Sequence, residues 1–122
     1  MILVDTSVWI DHLRSGDETL AKLLNAGSVL THPFVVGELA LGNIRHRETV
    51  LTLLQGLAFA TSASDHEALA FIGRHGLAGR GIGYIDAHLL AATRLTAGAA
   101  LWTKDKRLAS TANDLGLAAR FV

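Results

Sequence analysis

The chain contains no cysteine, which removes disulfides, thiolate metal sites and thiol nucleophiles from consideration. It has no excess of charge either. Eleven Lys and Arg balance 11 Asp and Glu, so no overall field draws the protein toward nucleic acid or an anionic membrane, and any basic surface must be local. Long apolar runs are also missing: no uninterrupted stretch could cross a bilayer, and Met1-Ile2-Leu3-Val4-Asp5-Thr6 has no basic segment and meets an acid too early for a signal peptide. These absences predict a soluble cytoplasmic protein. The six histidines, His12, His32, His46, His66, His75 and His88, lack zinc-site spacing. The glycines of residues 76–83 form neither a dinucleotide fingerprint nor a phosphate-cradling loop, because no strand closely precedes them and no Gly-Lys-Ser/Thr follows.

With 122 residues, half of them hydrophobic and 18% charged, the chain can fill one core, and a single domain over residues 1–122 is expected. Short apolar runs alternate with longer segments of helical periodicity, the pattern of an α/β fold in which crossover helices join the strands of a parallel sheet. Four to five strands are predicted, near residues 2–5, 28–31, 58–61 and 99–103, the first four buried, with an edge strand at 119–122. Helix starts are marked by Asp5-Thr6-Ser7, by Pro33 as a first-turn proline, and by the capping box Ser64-Asp65-His66-Glu67. Gly27, Gly56, Gly98 and Gly116 each precede an expected strand, where a left-handed helix cap is needed.

Against this background four acids stand out. Asp5 closes the run Met1–Val4, Glu38 interrupts Phe34–Leu41, Asp86 lies in Ile85–Ala92, and Asp105 follows Ala100–Lys104. Burying an unpaired carboxylate costs several kcal/mol, comparable to the whole stability of a domain, so four call for a counter-charge. With no cysteine and no histidine pattern beside them, a hard, oxygen-preferring cation such as Mg²⁺ or Mn²⁺ is the simplest one. Asp5 and Asp105 fall at the carboxyl ends of predicted strands, where open parallel sheets bind ligands. Asp86 falls in the first turn of a helix that could face the same edge. Glu38 shares a helical stripe with Val35, Leu41 and Arg45, which predicts that it points inward.

Taken one at a time, Asp5, Asp86 and Asp105 could equally be helix caps or dipole partners. A mid-helix Glu38 has no such role. Thr6 and Thr103 adjoin two of the acids and are candidates for orienting them. Arg45, Arg80 and Lys104, from three small basic groups, are candidates for holding a phosphate backbone around the acidic pocket.

Four segments, Ile2–Ile10, Val36–Gly42, Ile85–Ala92 and Leu101–Leu108, occur in an order that resembles the PIN-domain ribonucleases, and within them the VapC toxins of type II toxin-antitoxin pairs. The resemblance runs end to end. It implies a three-layer α/β/α sandwich with a central parallel sheet, and an acidic pocket binding Mg²⁺ or Mn²⁺ that hydrolyses RNA. Asp5, Glu38, Asp86 and Asp105 match the acidic positions, and Thr6 and Thr103 the accompanying hydroxyl positions. It further implies a homodimer and a VapB-like antitoxin that blocks the site, with operator DNA bound only through the antitoxin; the apolar face around Trp9, Ile10 and Leu13 is the expected docking place, with Ile10 expected rather in the core.

Two phosphotransfer alternatives on similar sheets fail on their residues. A haloacid-dehalogenase-type phosphatase needs an aspartate where Ser7 stands, and a receiver domain needs a phosphoaccepting aspartate where the third strand runs into Thr61-Ser62-Ala63-Ser64. The alternative from another class is a non-catalytic RNA-binding module that blocks translation. Four acids in one groove argue against it, since they repel phosphate unless a cation intervenes.

Overall fold

Ile-Leu-Val and Val-Leu-Thr, rich in β-branched residues, form the two inner strands of a four-stranded sheet. The computed structural model describes residues 1–121. The elements run β1 (Ile2–Val4), α1 (Thr6–Ser15), α2 (Glu18–Asn25), β2 (Val29–Thr31), α3 (Pro33–Leu41), α4 (Arg47–Gln55), β3 (Ala58–Phe59), α5 (Asp65–Arg74), α6 (Tyr84–Leu95), β4 (Ala100–Trp102) and α7 (Lys106–Asp114). The strand order is β3-β2-β1-β4 and every pairing is parallel, with Ile2 opposite both Val29 and Ala100.

This order fixes the layers. From β1 to β3 the chain steps in one direction along the sheet, then reverses to reach β4 on the far side of β1. Right-handed crossovers put the helices of the two directions on opposite faces, giving the three-layer α/β/α arrangement. The reversal also opens a crevice at the carboxyl ends of β1 and β4, where ligands bind in such sheets. In the core, Leu3, Leu101, Leu89, Leu90 and Leu108 are buried, and α6 is buried continuously from Ala87 to Thr93. No helix among the described residues is long and apolar enough to cross a membrane.

Three expectations need correction. The third strand is a two-residue exposed edge, not a buried strand over 58–61, because no strand lies outside it. The edge strand expected at 119–122 shrinks to one parallel bridge, Leu101 with Ala118. Leu101 N–H donates to Leu117 O (2.7 Å) and Ala119 N–H to Leu101 O (2.8 Å), so pairing begins as soon as the chain leaves Gly116; Val122 lies outside the described residues. Gly27, Gly98 and Gly116 do adopt left-handed backbone, but Gly56 has φ −85° and closes α4 with ordinary helical geometry.

The capping box forms as the sequence predicts: Glu67 N–H donates to Ser64 Oγ (3.1 Å) and Ser64 N–H to the Glu67 carboxylate (2.9 Å). Both bonds are exposed, so their effect is modest. Ser64→Ala should lower the unfolding free energy by about 1 kcal/mol, read from the urea midpoint at unchanged slope.

Candidate acidic active site

Asp5 follows β1 directly and its backbone begins α1, yet its side chain does not cap that helix. Instead Oδ2 accepts hydrogen bonds from Thr103 Oγ1 (2.7 Å) and Ser7 Oγ (2.8 Å). Lys104 N–H donates to Ser7 Oγ (3.0 Å), and Asp5 N–H to Trp102 O (2.9 Å). The ends of β1 and β4 are thus tied by hydroxyls, and Asp5 stays 7% exposed. Among the described residues its other oxygen has no hydrogen-bond partner. Helix capping therefore does not explain this carboxylate.

Asp86 sits in the first turn of α6 and accepts the Gly83 N–H at 2.9 Å. Burial pushes its pKa up; the Gly83 N–H opposes this, and the nearby charges of Asp5 and Asp105 add to the rise. Asp5 and Asp105, far apart in the chain, thus both act on Asp86, although more weakly than burial does. Asp105 caps α7 by accepting Leu108 N–H (2.9 Å), and its own N–H donates to Thr103 Oγ1 (3.1 Å). Its carboxylate is exposed, so the capping bond leaves its other oxygen open to solvent.

Glu38 arrives differently from the expectation. It is exposed; on its helix Val35 and Leu39 are buried, while Leu41 is 91% exposed. The helix ends at Leu41, so Arg45 lies beyond it and shares no stripe with Glu38. Apolar residues occur all around Pro33–Leu41, and periodicity cannot choose a face in such a segment. What brings Glu38 to α1 is a hydrogen bond from Thr6 Oγ1 to its carboxylate (2.8 Å).

Of the basic candidates, Arg80 pairs with Asp114 (2.8 Å), and Lys104 reaches Asp11 (3.0 Å) and Asp17 (3.3 Å). Its hydrogen bond to Asp11 leads the causes that raise the Lys104 pKa. These two cations are engaged by acids outside the pocket, whereas Arg45 is exposed. Ser7, with Thr103, is the residue that does most to hold Asp5; its place two residues after the acid was the only signal for it.

The donor chemistry suits a hard divalent cation. Every candidate ligand is an oxygen, and one oxygen of each acid is held by an internal hydrogen bond. Among the described residues, however, no three His, Asp or Glu side chains are grouped so that they could hold a metal ion as they stand.

The PIN domain family matches residues 2–114. Over 118 residues, covering 97% of this chain and 95% of the relative, the sequence is 48% identical to Ribonuclease VapC32 of Mycobacterium tuberculosis, to the same extent in two strains. Chain-long identity at this level, over the fold and acidic crevice just described, means that the chain belongs to the PIN-domain family, among its VapC-type ribonucleases.

Proposed function

We propose that this protein is a metal-dependent endoribonuclease, the toxin of a VapBC-like pair, cutting RNA phosphodiester bonds at Asp5, Glu38, Asp86 and Asp105 within one domain over residues 1–122. The observation that supports the site assignment is the buried Asp5 carboxylate at the carboxyl ends of β1 and β4, held by Ser7 and Thr103 rather than used as a helix cap. Asp5, Asp86 and Asp105 would hold Mg²⁺ or Mn²⁺, with Glu38 as a further ligand or water-positioning group. A cation held there would lower the pKa of a water and stabilise charge on the phosphate. The protein does the positioning. Ser7 and Thr103 fix the Asp5 carboxylate, Gly83 N–H fixes Asp86, and Thr6 aims Glu38 from the neighbouring helix. Hydroxyl donors of this kind are worth about 10- to 100-fold in metal affinity or activity, so Thr103→Val should weaken Mg²⁺ activation about tenfold in a cation titration of the cleavage rate.

An antitoxin partner fits a groove of about 320 Å³ lined by Trp9, Leu13, Leu24, Val50 and Leu53. Its walls are apolar, as the face of an amphipathic helix would demand. Ile10 is 40% exposed and lines the neighbouring cleft rather than this groove. A homodimer, and operator DNA bound through the antitoxin, complete the proposed assembly.

The test is cleavage of total RNA by purified, antitoxin-free protein with Mg²⁺ or Mn²⁺ against chelator. Discrete products that vanish with chelator support the nuclease. RNA that is bound but never cut, with either metal, would transfer the protein to the class of translation-blocking binders.

A further inference from the structure

Among the described residues, Arg14 and Arg45 stand without an ion-pair partner and line one cleft. On α1, Ile10 follows Thr6 by one helical turn on the same face, and Leu13 and Arg14 follow by another. Thr6 is joined to Glu38 of α3, and because α3 stops at Leu41 the following segment continues beside this face of α1. Between them lies a cleft of about 370 Å³ lined by Ile10, Leu13, Arg14, Asn43, Ile44 and Arg45. No acid is among these residues. Among the described residues neither Arg14 nor Arg45 has an ion-pair partner, in contrast to Arg80 and Lys104. Ile10, 40% exposed, supplies an apolar wall.

We propose that this cleft is an RNA subsite: Arg14 and Arg45 grip backbone phosphates of the strand whose scissile bond lies at the acids, and Ile10 supports the intervening nucleoside. The inference rests on the reading of the acidic crevice as a ribonuclease centre. Its physical need is plain. Four carboxylates repel an approaching polyanion, and the protein has no net positive charge to offset that repulsion. Two guanidiniums with no ion-pair partner among the described residues, on the cleft that α1 lines beyond Thr6, provide local attraction and, being planar and bidentate, set the register of the strand.

The experiment uses single-stranded poly(U) as probe, because phosphate contacts do not depend on sequence. Binding is measured in chelator over a range of salt, and cleavage of total RNA in Mn²⁺, for the wild type, Arg14→Ala/Arg45→Ala and Arg14→Lys/Arg45→Lys. Each lost single-strand phosphate contact lowers the slope of log K against log salt by about 0.7, so the double alanine variant should lose about 1.4. The lysine variant should keep the wild-type slope. In cleavage, the alanine variant should show a rise in KM larger than its fall in kcat. A salt slope unchanged by the alanine pair overturns the subsite, and loss of a co-purifying protein partner with that slope unchanged would give the cleft to the partner. A wild-type protein that cuts nothing, yet binds RNA with an arginine-dependent slope, overturns the nuclease reading while leaving two phosphate contacts in place.

Discussion

Replacing Asp5 by Asn lowers RNA cleavage by at least about a hundredfold while the protein stays folded. The argument has two halves. Asn matches Asp in shape, and its carbonyl oxygen can accept the hydroxyls of Ser7 and Thr103 that now meet Oδ2 at 2.8 and 2.7 Å. The tie between β1 and β4 therefore survives. What is lost is the negative charge that, with Asp86 and Asp105, would hold the cation; an amide binds Mg²⁺ far less well than a carboxylate does. Removing that charge also relieves Asp86, whose pKa is raised in part by Asp5. Initial rates on total RNA at saturating Mn²⁺, with circular dichroism as the folding check, measure both halves. Cleavage retained within threefold by a folded Asp5→Asn would remove Asp5 from the chemistry, whatever its place in the crevice. Loss of cleavage together with loss of fold would instead show that the hydroxyl pair needs a carboxylate, and Asp86→Asn would then carry the test.

The sequence spoke most clearly where one residue had to satisfy two demands. An acid at the end of an apolar strand is costly, so Asp5 could be picked out, and with it β1 and the sheet edge. Asp86 and Asp105 were visible for the same reason, although each also holds a helix start, which the spacing alone left undecided. Glu38 was found with the wrong geometry. Its helix is apolar all round, so inward and outward faces look alike, and only the Thr6 hydrogen bond, which joins residues 32 apart, decides where it points. Long-range pairings were illegible in general. That Arg80 is held by Asp114 and Lys104 by Asp11 and Asp17 depends on how helices stack, as does the cleft that Arg14 and Arg45 line. The short β3 and the single bridge at Ala118 were overestimated because apolar runs look the same whether or not a neighbouring strand covers them.

Histidines offered no pattern in the sequence, yet one of them should dominate the acid limb of stability. His32 is 1% exposed and opens α3, its Nδ1 accepting the Phe34 N–H at 3.0 Å. The ring is therefore neutral with its proton on Nε2, and Phe34 packs edge-on at 5.1 Å. Burial, with a smaller contribution from His88, pushes its pKa down from 6.5 to about 4. Protonation would put a charge in the core and take away the acceptor that starts the helix. Because the folded-state pKa is the depressed one, the unfolded chain binds a proton between pH 6.5 and 4 that the folded protein refuses. Stability from this group is complete above pH 6.5 and declines as pH falls toward 4, by about 3 kcal/mol in all. Urea unfolding of the wild type and of His32→Asn, which keeps a capping side chain but cannot titrate, isolates the effect from the carboxylates common to both. Between pH 7.5 and 4 the wild type should lose about 3 kcal/mol more than the variant. Parallel losses in the two proteins would mean that water reaches the His32 ring freely, and that the acid limb belongs to the carboxylates alone.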